Sequence, residues 1–251
     1  MFRPAALMLS VVFPLALGSA ARAADDPKEI IAKAIKAHGG EEFLSKNKAT
    51  QSKNKGKITI PGVGETEFTE EVMYMLPDKL KESLEMKIAN QTINLQTLIN
   101  GDKATVELNG KAIDLPDAAK DSIKGTGYLL QIGRLVPLLK EKRFELNLIG
   151  DDKVEGKEVV GVRVSAKDQK DVNLYFDKKT NLLAKIEHRT ADPMTGMEVN
   201  EERFVLEYQK NKDGVNLPKK VLIKHDGKEF LQAEVLEIQF LEKIDENEFK
   251  K

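Results

Sequence analysis

Residues 80–113 read LKESLEMKIANQTINLQTLINGDKATVELNGKAI, and their periodicity decides the fold class. Leu80, Leu84, Met86 and Ile88 alternate with Lys81, Ser83, Glu85 and Lys87, the period-two pattern of a strand with one dry face and one wet face. Ile93, Leu95 and Ile99 repeat it, and Ala104, Val106 and Leu108 oppose Thr105 and Glu107. Asn100-Gly101-Asp102 and Asn109-Gly110 between them are tight-turn signals. The stretch is an antiparallel meander.

The same period extends both ways. Upstream, Ile58 and Ile60 precede a turn at Pro61-Gly62-Val63-Gly64, and Phe68, Val72 and Tyr74 precede another at Leu76-Pro77-Asp78. Downstream, alternation returns through Phe144, Leu146 and Leu148; Val160, Val162 and Val164; Val172, Leu174 and Phe176; and Leu182, Ala184 and Ile186. Three long runs follow, centred on Phe204-Leu206, Val221-Ile223 and Leu236-Ile238-Phe240. Two segments break the pattern. Asp26-Pro27 is an N-cap with proline at the first helical position; Ile30, Ile31, Ala34, Ile35 and Ala37 follow at helical spacing, and Gly39-Gly40 stops the helix, so 27–46 are N-terminal helices. Residues 117–140 hold the most apolar stretch after the leader, one or two helices broken by Gly125 and Gly127.

About a dozen one-sided strands need cover for their apolar faces, and the helices supply it. The expectation is one α+β, mainly β domain over 24–251: a large curved antiparallel sheet of about 11–13 strands with helices on its concave apolar face. A closed up-and-down barrel is the competitor, but it would leave the leucines of 117–140 nowhere to bury.

The leader is tripartite: Arg3, an apolar Ala5 to Leu17, and a small-x-small site at Ala21-Arg22-Ala23. Residues 1–23 are expected to be a secretory signal peptide, cleaved near Ala23. With no cysteine anywhere, the chain has no disulfide, thiolate or cysteine-ligated metal chemistry, and no lipid attachment of the bacterial lipoprotein type. Lysine and arginine total 40 against 41 acids, so there is no basic excess for nucleic acid.

The order and spacing of several segments resemble the LolA/LolB-like periplasmic lipoprotein carrier superfamily, in particular its outer-membrane lipoprotein-sorting-like members. They are Ala37-His38-Gly39-Gly40, Leu76-Pro77-Asp78-Lys79-Leu80, Asn100-Gly101-Asp102, the mid-chain apolar helices, Asn173 to Leu183 (NLYFDKKTNLL), and Asp213-Gly214-Val215-Asn216-Leu217-Pro218. The resemblance covers most of residues 28–251. It implies an incompletely closed antiparallel β-barrel, a half-shell with a helical lid over an apolar cavity, and a non-enzymatic carrier or chaperone in the periplasm. The implied partners are an acylated lipoprotein or lipid, with membrane-anchored donor and acceptor proteins; the chain itself would be a monomer without a cofactor.

The candidate ligand-binding residues are the lid's Tyr128, Leu129, Leu130, Ile132, Leu135, Val136, Leu138 and Leu139, with Met73, Met86 and Phe176 as lining. The competing reading makes the lid residues permanent core. Gly125 and Gly127 offer a hinge, and Met75, Met194 and Met197 could add adaptable lining. His38, His188 and His225 are the only histidines and fall on separate elements, so no metal site is expected; His188 shares the inward parity of Ile186 and could make a polar contact at the rim. No catalytic constellation stands out. A cell-envelope binding or scaffold module with a self-filled core, and a hydrolase with an unadvertised cluster of carboxylates or histidines, remain the alternatives.

Overall fold

The computed structural model describes residues 26–115, 117–192 and 195–250; the leader and Met194 lie outside them. Helix α1 (Pro27–Ala37) starts where Asp26 caps it, its side chain accepting the Lys28 N–H at 2.9 Å. Gly39 and Gly40, at φ 113° and 90°, turn the chain into α2 (Glu41–Lys46). Six strands follow: β1 (Ala49–Ile60), β2 (Gly64–Met75), β3 (Lys79–Ile88), β4 (Gln91–Asn100), β5 (Lys103–Leu108) and β6 (Lys111–Ile113). Helices α3 (Asp117–Gly133) and α4 (Val136–Lys140) intervene. Seven more strands complete the sheet: β7 (Phe144–Val154), β8 (Lys157–Ala166), β9 (Val172–Asp177), β10 (Leu183–Ala191), β11 (Glu198–Lys210), β12 (Asn216–His225) and β13 (Lys228–Leu241).

All thirteen strands form one antiparallel sheet in the order β6-β5-β4-β3-β2-β1-β13-β12-β11-β10-β9-β8-β7. Each half is a meander, as the tight turns dictate, and the halves meet where β1 pairs with β13. Strands β6 and β7 are the free edges, so the barrel is open, and α3–α4 runs from one edge to the other. This is the expected half-shell. The sheet curls tightly at the β1–β13 seam, where a Cβ on Gly56 would stand 2.0 Å from the Gln232 carbonyl oxygen. Gly56→Ala should therefore push the two strands apart and cost about 2 kcal/mol in urea unfolding, within the range for overpacking; a neutral variant would show that the seam is loose.

The concave face of β7–β10 carries the main core. Ile30, Ile31 and Ile35 of α1 and Leu129, Ile132 and Leu135 of the α3–α4 segment pack onto Val162, Val164, Leu174 and Phe176. A second inner cluster closes the other end of the shell, Ile58, Phe68, Leu84 and Met86 meeting Phe230 and Leu231.

Three expectations change. First, α3 runs unbroken through Gly125 and Gly127 to Gly133, because a helix packed along a sheet tolerates glycine at a modest propensity cost. The break falls at Arg134-Leu135. Second, an irregularity between Leu183 and Lys185 shifts the parity of β10, turning Leu183 inward and Ala184 outward. Third, β11 inverts the expected sidedness: Phe204 and Leu206 face outward with Val159, Tyr175 and Leu222, beneath Lys185 and Lys224, whose ammonium groups lie 4.5 Å over the Tyr175 ring and 4.8 Å over the Phe204 ring.

Candidate functional site

The inward positions of β11 are consequently polar. Cross-strand registration places His188, Glu201 and His225 side by side, because Glu201 pairs with His188 on one neighbour and with His225 on the other. Glu201 lies 3.1 Å from His188 Nε2, 3.1 Å from His225 Nε2 and 2.5 Å from Arg203 Nε. His225 Nδ1 faces Asp192 at 3.0 Å. Burial would raise the Glu201 carboxyl, but Arg203 and the two histidines outweigh it and hold the group far below the carboxylate range. Burial likewise opposes the charged form of His225, yet Glu201 and Asp192 push it up. With a carboxylate oxygen against each ring nitrogen, the site favours the doubly donating imidazolium form of His225.

The polar belt continues across the shell. Glu82 and Glu70 lie on the inner face of β3 and β2, and Asn54 of β1 donates to Glu70 at 2.7 Å. Burial, and then the Glu70 charge, raise Glu82 to about 8, with Arg203 pulling the other way. Strands β3 and β11 stand five places apart in the sheet, about 24 Å along it at roughly 4.8 Å per strand. Their charges can meet only across a curled interior. The Arg203 side chain keeps 35% of its surface accessible although it lies on the inner face, so water reaches this polar level of the shell, its lumen.

The helical cover has its own anchors. Ser122 Oγ lies 3.0 Å from Thr190 Oγ1 and donates to the Ala191 carbonyl, while Gln131 donates to the Pro77 carbonyl at 2.7 Å. At the corner, Leu135 holds φ 61° and ψ −43° and the Val136 N–H reaches the Arg134 carbonyl at 2.6 Å, a γ-turn in the rare positive-φ form. Arg134, 4% exposed, reaches from that corner to the start of β1.

Six of the candidate lid residues (Tyr128, Leu129, Ile132, Leu135, Val136 and Leu138) come together with Phe176 in one cluster. Leu139 packs against it and Leu130 is half-buried. The two methionines separate. Met86 belongs to the inner cluster at the far end, whereas Met73 faces outward beside Ala49, Met75 and Phe249. The C-terminal Phe249, fully buried, seals that outer patch. Two prominent clefts, of about 620 and 530 Å³, lie on the outer face among Lys55, Lys57, Glu67, Glu85 and Glu71, away from the helical cover. His38 sits at the end of α1 with its ring against the Ala34 carbonyl and Tyr208, and burial lowers its pKa. Sequence reading missed the polar belt, although His188, and Glu70 and Glu82 at the apolar parity of their strands, were signals of it. Among the described residues, no group of three or more His, Asp or Glu side chains is placed to hold a metal ion, and no helix is long and apolar enough to cross a membrane.

Comparison with solved structures bears out the fold. The chain is similar to a LolA superfamily protein from Nitrosomonas europaea, at TM-score 0.57 and 12% identity over 91% of this chain and 99% of that one. It is also similar to a domain described as outer membrane lipoprotein-sorting from Vibrio parahaemolyticus (TM-score 0.53, 11% identity, 89% and 95% covered). A DUF1329 family protein from Desulfovibrio piger gives TM-score 0.55 at 11% identity, with 90% and 98% covered. No family model matches the sequence, and no curated protein matches it. At this identity the likeness shows a LolA-like fold and nothing beyond it.

Proposed function

We propose that a chain with this LolA-like fold is a periplasmic, non-enzymatic carrier or chaperone that takes up acyl chains of lipoproteins or lipids beneath α3 and α4. One observation carries the reading: an open sheet presents its apolar concave face to a helical segment whose covalent connections to the sheet lie only at its two free edges. Displacing that segment would bare the inner faces of Val162, Leu174 and Phe176 without breaking a strand pair. An acyl chain could then replace Tyr128, Leu129, Leu130, Ile132, Leu135, Val136, Leu138 and Leu139, each buried methylene contributing about 0.8 kcal/mol. The hinge in this reading is the strained Leu135 corner. The LolA superfamily and lipoprotein-sorting neighbours support a carrier, and residues 1–23 support export.

A fluorescent fatty acid should bind the mature chain saturably and raise amide exchange in residues 117–140. Native mass spectrometry of the protein from the periplasm should show co-purified lipid or lipoprotein. A chain that takes up no acyl probe and carries none is instead a self-filled envelope scaffold, the second reading. That reading draws on the complete burial of Ile132 and Leu135.

A further inference from the structure

Arg134 is a buried cation without an acid. Its Nη2 donates to the Asn47 carbonyl at 2.5 Å, to Thr50 Oγ1 at 3.1 Å and, at 3.4 Å, to the Ala49 carbonyl. The guanidinium lies 4.7 Å over the Phe240 ring and 5.4 Å from that of Tyr74. Its Nε and Nη1 atoms are buried and have no hydrogen-bond partner. Three N–H bonds are therefore unspent, and among the described residues no carboxylate comes within ion-pair distance of this side chain.

Other enclosed cations are treated differently. Arg203 has Glu201, and Lys185 has Glu187 and Glu202 at 2.7 and 2.9 Å. A buried charge left without a counter-charge is costly, and burial lowers the Arg134 pKa accordingly. Aromatic faces attract a guanidinium but accept few of its hydrogen bonds. An anion at Nε and Nη1 would satisfy both the charge and the donors.

The position of the arginine says what kind of anion. Ile132 and Leu135, two residues before it and one after, point into the apolar cluster beneath the cover. A tail that displaced them would end beside the guanidinium. The corner is also strained: a branched residue at φ 61° and ψ −43° is held there by packing, so lifting it releases part of the cost of opening.

We propose that Arg134 is the receptor for the anionic head, a carboxylate or phosphate, of a single-chain amphiphile whose tail lies under α3 and α4. The proposal rests on the carrier reading above and narrows its cargo to an acyl chain with a negative head.

The test is calorimetric titration of the mature chain with laurate, its uncharged methyl ester, and acetate. Laurate should bind at least about tenfold more tightly than the ester, as a charge-assisted hydrogen bond implies, and acetate far more weakly than either. In Arg134→Gln the laurate-to-ester ratio should fall toward one. Arg134→Lys, which keeps the charge with a different donor geometry, should give an intermediate ratio, so the question stands even if the glutamine variant does not fold. Equal binding of laurate and ester by the native chain, or an unchanged ratio in either variant, overturns the proposal and leaves the carrier reading intact. Acetate binding as tightly as laurate overturns it in favour of a free-anion site. Failure of both laurate and ester to bind overturns the carrier reading itself.

Discussion

Ile132→Ala should lower the unfolding free energy by about 3 kcal/mol, the middle of the range for truncating a fully buried isoleucine. Ile132 is 0% exposed and belongs to the core cluster that α1, the cover and the inner faces of β8 and β9 share. Because the cover is linked covalently to the sheet only at its edges and otherwise held by packing and a few side-chain hydrogen bonds, the loss should be uneven. Amide exchange in residues 117–140 should accelerate more than in β8 and β9, since a segment that opens separately samples its own, cheaper unfolding. Leu174→Ala in β9 should cost a similar amount but accelerate exchange in sheet and cover alike. Urea unfolding with exchange mass spectrometry separates the outcomes. Equal acceleration everywhere in Ile132→Ala would make the cover permanent core.

Arg203→Met should cost about 3 kcal/mol at pH 9, at the low end for breaking a buried pair because a third of the side chain reaches water. It strands Glu201 with only the histidines and removes the cation that favours ionised Glu82. The pH dependence follows from Glu82. Its carboxyl, raised from 4.5 to about 8, keeps a proton in the folded chain that the unfolded chain has released, so this group makes stability fall as pH rises from about 4.5 to 8. His225 acts in the same direction above its ordinary 6.5, since its raised pKa contributes stability that is lost as pH rises through the folded value. Without Arg203, Glu82 becomes harder still to ionise. The variant should therefore lose less at pH 6 than at pH 9. Thermal unfolding at the two pH values checks this, and a loss independent of pH would mean that the charges in the lumen do not feel one another.

Much of the half-shell was legible because its signals are local. Asn100-Gly101 and Asn109-Gly110 build turns with φ of 60° at Gly101, 50° at Asn109 and 75° at Gly110, and alternation in β3, β4, β8 and β9 assigned the inner face without knowledge of a partner. The polar belt was hidden for the opposite reason. Glu201 and Arg203 look like solvent-facing residues in an alternating strand, and Phe204 and Leu206 look like the dry side, whereas Glu82 shares the dry parity of Leu80 and Leu84 and reads as an isolated exception to it. Their sidedness depends on which face the rest of the sheet turns inward, and on lysines that cover Phe204 from outside.

Arg134 shows the same division. In sequence it is a charged residue closing a helix, and nothing near it announces a site. Only the docking of the α3–α4 corner onto β1 strips it of water and brings it between Tyr74 and Phe240, residues 60 positions before and 106 after it in the chain.

By itself, then, the sequence determined the strands, their turns, the helical cover and the absence of cysteine chemistry, because backbone torsions, period-two alternation and residue type act over a few neighbouring positions. The tertiary structure decided where the cover breaks, which charges share the lumen and which cation lacks a partner. Curling the sheet brings strands five places apart into electrostatic range, and desolvation acts on a side chain only once distant segments enclose it.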